Sequence, residues 1–151
     1  MGKVGALLAR LAGERVYIDS NIFVYFLERH PLFFPVVAPV FAAIQAGSVT
    51  GLTGDAVVAE VMVGPYRSGS PAVIADVKSF FNTSGSFIIL RHGPDEFDLA
   101  AQLRASHGMK FADALHVATA SRAACRAMLT NDDGIRPAGA MEIVGLRQLM
   151  A

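Results

Sequence analysis

A helix, a short buried strand and an acidic turn follow one another in the last third of the chain. Apolar residues at helical spacing predict a helix from Phe111 to about Ala124, with Asp113 in its first turn. The apolar run Ala127–Thr130 then predicts a buried strand, which Asp132 and Asp133 follow. Ligands of open parallel α/β sheets bind at the carboxyl ends of the strands, so acids in this turn lie where such proteins usually carry out chemistry.

The same alternation of strands and helices runs through the whole chain. It predicts a three-layer α/β/α sandwich with a central parallel sheet of four to five strands, and right-handed crossovers place all carboxyl ends at one edge. The predicted strands are 16–18, 48–53, 86–91, 127–130 and 142–144. The predicted helices are 4–11, 22–28, 35–45, one that begins near 55 and stops at Gly64-Pro65, 71–81, 94–106 and 111–124.

The composition is that of a single folded domain over residues 1–151. Apolar residues make up 53% of the chain and charged residues only 17%, which excludes disorder and suggests that a partner covers part of the surface. The formal charge is zero, which argues against a sequence-independent coat for nucleic acid. A small, local RNA-contacting surface remains compatible with that charge.

Nothing in the sequence predicts a membrane or secreted protein. The longest apolar segment, Pro31–Ile44, is interrupted by prolines and is shorter than the roughly 20 residues that a membrane span needs. The first residues do not have the pattern of a secretory signal, and Cys125 is the only cysteine. We therefore expect a cytoplasmic protein.

Four acids are candidates for one site. Asp19 and Asp132 follow predicted strands, whereas Glu60 and Asp113 lie on predicted helices among apolar neighbours. Two unit charges about 5 Å apart repel by roughly 3 kcal/mol at an effective dielectric constant of about 20, so clustered carboxylates need a cation. Because oxygen ligands favour hard cations, the expected ion is Mg²⁺ or Mn²⁺.

Each of these acids also has a purely structural interpretation. Asp19 suits a helix cap, Asp113 suits the positive end of a helix dipole, and turn chemistry alone accounts for two acids before Gly134. Glu60 would need an arginine partner instead. His116 lies one turn after Asp113 and is a conceivable general base, but a histidine in an apolar helix is more often structural. Basic residues that could contact phosphates, or be ordinary surface charge, are Arg67, Arg91, Arg104, Lys110 and Arg136.

The segments VYIDSN, VVAEV, FADALHVATA and LTND, in this order, resemble the PIN-domain family and in particular the toxins of VapBC-type toxin–antitoxin pairs. The resemblance implies a metal-dependent ribonuclease with Asp19, Glu60, Asp113 and Asp132 around one pocket. In that case Asp19 and Asp113 would be the principal ligands of Mg²⁺ or Mn²⁺. The chain departs from the family after its last acid, which leaves Asp133 as the alternative to Asp132, although we favour Asp132.

The resemblance also implies polar helpers and partners. Ser20, Asn21 and Thr130 match the polar positions that flank the family's acids. The implied partners are an RNA substrate, a cognate antitoxin and a second copy of the chain. The antitoxin would lie in a groove formed by the early helices, where the aromatic residues Phe23, Tyr25, Phe26, Phe33 and Phe34 are either core or interface.

Two other classes compete with this interpretation. A PIN-like domain without catalysis would act as a binding or dimerisation module, but the presence of all four acids argues against it. A receiver domain or a haloacid-type phosphatase would need a second acid close to Asp19, and Ser20-Asn21-Ile22 follows instead.

Overall fold

The computed structural model describes residues 2–83 and 85–150, which form one parallel sheet with helices on both faces. The strands are β1 (Arg15–Ile18), β2 (Thr50–Gly54), β3 (Phe87–Leu90), β4 (Ala127–Thr130) and β5 (Glu142–Gly145). The helices are α1 (Lys3–Arg10), α2 (Ser20–Leu27), α3 (Phe34–Gln45), α4 (Asp55–Ser68), α5 (Pro71–Thr83), α6 (Pro94–His107) and α7 (Phe111–Arg122), with a 3₁₀ turn over Leu146–Leu149.

The strand order is β3-β2-β1-β4-β5, and every neighbouring pair is parallel. The central strand β1 pairs Val16 with Gly51 of β2 and with Ala127 of β4. Right-handed crossovers then place α2 to α5 on one face and α6 and α7 on the other, and the helices of each group contact one another. The predicted α/β/α sandwich is confirmed.

The order of the strands reverses between β1 and β4. From β1 the chain continues through β2 to β3 on one side of the sheet, and it later returns to build β4 and β5 on the other side. Crevices for ligands open at such switch points, beyond the carboxyl ends of the strands. Asp19 directly follows β1 and Thr130 ends β4, so both lie at this crevice.

The sequence correctly indicates most helix boundaries, because local chemistry sets them. Asp19 caps α2 through a side-chain bond to the N–H of Ser20, and prolines occupy the first turns of α3 and α6. Gly69 and Gly108 follow α4 and α6 with positive φ values of 68° and 67°, a left-handed conformation that glycine adopts without strain.

The expected stop at Gly64-Pro65 is wrong, since α4 continues to Ser68. Proline disfavours helix mainly by clashing with the preceding residue and by lacking an N–H. Gly64 has no Cβ to clash, and Ser68 Oγ donates a hydrogen bond of 2.6 Å to the carbonyl of Pro65. Contacts of α4 with α2 and α5 offset the remaining cost.

The buried apolar residues form one contiguous core around the sheet. β4 is buried along its whole length, as are Val16, Tyr17 and Ile18 of β1. Phe23 and Phe33 belong to this core, whereas Tyr25, Phe26 and Phe34 are only partly buried. Among the described helices, none is both long and apolar enough to cross a membrane. The assignment of a single domain to residues 1–151 stays a prediction.

Candidate metal centre

Asp19 is a buried carboxylate at the end of β1, with only 4% of its surface exposed. Its Oδ1 accepts a hydrogen bond of 2.8 Å from the backbone N–H of Ser20, and its Oδ2 accepts one of 2.6 Å from Thr130 Oγ1. Asn21 Nδ2 donates a longer bond of 3.5 Å to the same Oδ2. Burial raises the pKa of Asp19, and the bond from Thr130 counteracts that shift.

The turn after β4 is tied to the start of α2. Thr130 Oγ1, which donates to Asp19, also accepts a bond of 3.0 Å from the N–H of Asp132. The N–H of Asn131 donates to Asn21 Oδ1 at 3.1 Å, and Asn131 Nδ2 donates to the hydroxyl of Tyr25 at 2.9 Å. Asn131 was not a sequence candidate, although the LTND segment contains it.

Asp113 and Asp132 lie side by side. Asp132 Oδ1 accepts a bond of 2.8 Å from the N–H of Gly134. A Cβ on Gly134 would lie 3.1 Å from that oxygen and 3.6 Å from Asp113 Oδ2, so both carboxylates border the same small space. Burial, the charges of Asp132 and Asp19, and a hydrogen bond with Asp132 raise the pKa of Asp113 to about 6.

Glu60 approaches the site from α4. Its Oε1 lies 2.7 Å from His116 Nε2, while 42% of its side chain remains exposed. Ligand atoms of Asp19, Glu60 and His116 all lie within 4.8 Å of one another. The structure therefore brings Asp19, Glu60, Asp113 and Asp132 to one crevice.

Asp133 is the next residue of the same turn. The residue is exposed, and its backbone carbonyl accepts a bond of 2.6 Å from Arg136. In the described part of the chain no contact joins its carboxylate to another acid. This geometry supports Asp132 as the fourth acid of the cluster.

Among the described residues, the four acids of the cluster have no lysine or arginine partner. Within residues 2–83 and 85–150, no lysine or arginine forms an ion pair with any of the four, and only His116 contacts one of them. Arg104 instead lies over the ring of Phe111, and Arg136 binds backbone carbonyls. A cluster of carboxylate oxygens that no described lysine or arginine neutralises is the kind of ligand set that hard divalent cations prefer, so the residues fit such an ion.

Fold and site together define a class, namely parallel α/β/α proteins that carry a carboxylate cluster at the topological switch point. The comparison with known families is more specific. The model of the PIN domain matches residues 16–140, and the chain belongs to that family. The resemblance stated from the sequence segments is thus confirmed. No curated protein sequence matches the chain significantly.

Solved structures of the same fold include components of toxin–antitoxin complexes. The FitAB complex bound to an IR36 DNA fragment contains a chain with a TM-score of 0.67 and 20% identity, the match covering 87% of this chain and 94% of that one. A chain in a toxin–antitoxin complex from Klebsiella pneumoniae has a TM-score of 0.64 and 17% identity, and the match covers 83% of this chain and 94% of that one. VapC20 from Mycobacterium tuberculosis is a toxin that cleaves the sarcin–ricin loop. Its structure has a TM-score of 0.62 and 13% identity, and the match covers 75% of this chain and 86% of that one.

Proposed function

We propose that this protein is an endoribonuclease that depends on Mg²⁺ or Mn²⁺ and acts as the toxin of a type II toxin–antitoxin pair. The observation that carries the proposal is the cluster of Asp19, Glu60, Asp113 and Asp132 at the switch point of a PIN domain. The similarity to VapC20, a toxin that cleaves the sarcin–ricin loop, supports the choice of RNA as substrate.

Each acid has a distinct part in this proposal. Asp19 and Asp113 are the principal ligands, and Glu60 and Asp132 complete the cluster directly or through water. A bound cation would supply an activated water and would stabilise negative charge on the phosphodiester. Thr130 donates a hydrogen bond that favours the charged form of the buried Asp19 carboxylate, and the N–H of Gly134 orients Asp132.

The partners follow from the same assignment. The groove between α2, α4 and α5 has a volume of about 190 Å³ and a mostly apolar lining that includes Val24, Leu27 and Val61. We assign it to the antitoxin, as the toxin–antitoxin complexes among the similar structures suggest. The protein would act in the cytoplasm as a homodimer. Light scattering of the purified chain, alone and with the product of a neighbouring short reading frame, measures both assemblies.

RNA cleavage by the purified protein tests the enzymatic part. Short single-stranded RNA is incubated with the wild type in Mn²⁺, with the wild type in EDTA, and with Asp19→Asn in Mn²⁺. We expect cleavage only in the first reaction. Cleavage that survives chelation or the substitution overturns the proposal, and a metal-loaded wild type without activity favours the alternative of a catalytically inactive binding module.

A further inference from the structure

A buried tyrosine and a buried histidine stand behind the exposed carboxylate of Glu60. Tyr17 on β1 has no exposed surface, and His116 on α7 has 1%. The hydroxyl of Tyr17 lies 2.9 Å from His116 Nδ1, and His116 Nε2 lies 2.7 Å from Glu60 Oε1. The three side chains form a hydrogen-bonded chain from the centre of the sheet to the acid cluster.

The donors in this hydrogen-bonded chain can be assigned from chemistry. The ionised carboxylate of Glu60 only accepts hydrogen bonds, so His116 Nε2 must carry a proton. The phenol of Tyr17 carries its own proton, so its hydroxyl can donate the hydrogen bond of 2.9 Å to the unprotonated Nδ1. Tyr17 thus selects the histidine tautomer that presents a donor to Glu60.

Glu60 depends on this partner more than Asp19 and Asp132 do. Asp19 is held by Ser20 and Thr130, and Asp132 by Gly134. Glu60 has a long side chain that is 42% exposed, and its one described hydrogen bond or ion pair is the contact with His116. Ordering a free Glu side chain on binding a cation costs conformational entropy, so a carboxylate that is already held in place favours the bound state.

We propose that Tyr17 and His116 are a positioning pair that fixes the Glu60 carboxylate for cation binding. The inference deepens the proposed function and rests on it, because it assigns a task to two residues that the acid cluster itself does not include. His116 touches neither substrate nor reacting atoms in this role. Tyr17 acts one step further away, through the hydrogen bond that it donates to the histidine.

The test measures Mn²⁺ affinity without RNA, by the electron paramagnetic resonance signal of free Mn²⁺. Tyr17→Phe keeps the buried ring but removes the hydroxyl, so the tautomer is no longer selected. We expect its Mn²⁺ dissociation constant to rise about tenfold or more, as is typical when an outer-shell partner is lost. The matched control is Thr53→Val, which removes another buried hydroxyl, one that donates to the backbone carbonyl of Ile18 at 2.9 Å. Its affinity should stay within about twofold of the wild type.

Two variants of the histidine provide a second route should Tyr17→Phe fold poorly. His116→Gln can still donate near the position of Nε2, whereas His116→Leu cannot donate at all. We expect His116→Gln to retain most of the Mn²⁺ affinity and His116→Leu to bind Mn²⁺ about tenfold or more weakly. In a Glu60→Gln background, Tyr17→Phe should have no further effect, because its action passes through that carboxylate.

The outcomes separate this inference from the proposed function. A wild type that binds no Mn²⁺ overturns both. If the wild type binds Mn²⁺ and the Mn²⁺ affinity of Tyr17→Phe and of His116→Leu equals that of the wild type, the positioning role alone is overturned. The positioning role is also contradicted if Tyr17→Phe lowers the Mn²⁺ affinity by the same factor in the wild type and in the Glu60→Gln background. Nitrogen coupling in the spectrum of bound Mn²⁺ would show that His116 is itself a ligand and would overturn the positioning role.

Discussion

Thr130 Oγ1 donates a hydrogen bond of 2.6 Å to Asp19 Oδ2, although the two residues are 111 positions apart in the chain. The same oxygen accepts a bond from the N–H of Asp132. One buried hydroxyl therefore connects an acid at the end of β1 with an acid after β4. Its removal should affect both.

Replacing Thr130 by valine keeps the shape but removes both bonds. The buried Asp19 carboxylate then loses its strongest donor, which costs about 1–3 kcal/mol of folding free energy and raises the pKa of Asp19 further. We expect weaker Mn²⁺ binding as well as lower stability, measured by calorimetric titration and urea denaturation.

The controls for Thr130→Val are Thr130→Ser and Thr53→Val. Serine restores the hydroxyl and should recover Mn²⁺ affinity. Thr53→Val removes a buried hydroxyl that bonds only a backbone carbonyl, so it should lower stability without changing the affinity. Equal Mn²⁺ affinity in Thr130→Val and the wild type would refute the role of this hydroxyl.

Asp113 makes the metal-free protein less stable at neutral pH. Its pKa in the folded protein is about 6, above its usual value of 3.8. Between these values the folded state holds a proton that the unfolded state has lost, so this group's destabilising effect is full above pH 6 and fades as the pH falls towards 4. In EDTA, Asp113→Asn should be more stable than the wild type at pH 7.5.

The difference between variant and wild type reports on Asp113 together with Asp132 and Asp19, whose charges act on it, and removes the contribution of groups that do not interact with Asp113. Asp19 has a raised pKa like Asp113, whereas burial lowers the pKa of His92 and acts in the opposite sense. Thermal unfolding should give a gap in Tm that is widest at pH 7.5 and narrows towards pH 5. A gap that widens on acidification would disprove the assignment.

Asp132 and Asp133 should differ sharply in their response to metal. Asp132 borders Asp113, whereas Asp133 is exposed and its carboxylate has no described contact with another acid. We expect the rise in Tm on adding Mn²⁺ to be largely lost in Asp132→Asn and retained in Asp133→Asn. The reverse result would make Asp133 the fourth acid.

Gly54 leaves room for the side chains of Tyr17 and His92. A Cβ there would lie 2.6 Å from the hydroxyl of Tyr17 and 2.6 Å from the ring of His92. Gly54→Ala should therefore cost about 1–3 kcal/mol in urea denaturation. Gly145→Ala is a matched control at the end of β5, where the nearest atom is 3.4 Å away, and it should change stability by less than about 0.5 kcal/mol. If Gly54→Ala and Gly145→Ala lower the free energy of unfolding equally, the space beside Tyr17 is not tightly packed.

Local patterns were enough to predict the order of strands and helices and the position of Asp19 and Asp132 at strand ends. The continuation of α4 through Pro65 could not be predicted, because it depends on contacts with α2 and α5. Periodicity also does not show that Tyr17, His116 and Glu60 are linked by hydrogen bonds, since they come from a strand and two helices far apart in the chain. Such relationships depend on how the elements pack, and the sequence alone does not fix those distances.

The dependence of the RNA cleavage rate on Mn²⁺ concentration tests the central claim most directly. Cleavage should be absent in EDTA, should rise with Mn²⁺, and should reach half its maximum near the dissociation constant measured by calorimetry without RNA. Asp19→Asn should lose both the binding and the cleavage. A rate that is independent of Mn²⁺, or that persists in Asp19→Asn, would contradict a metal-dependent ribonuclease built on these four acids.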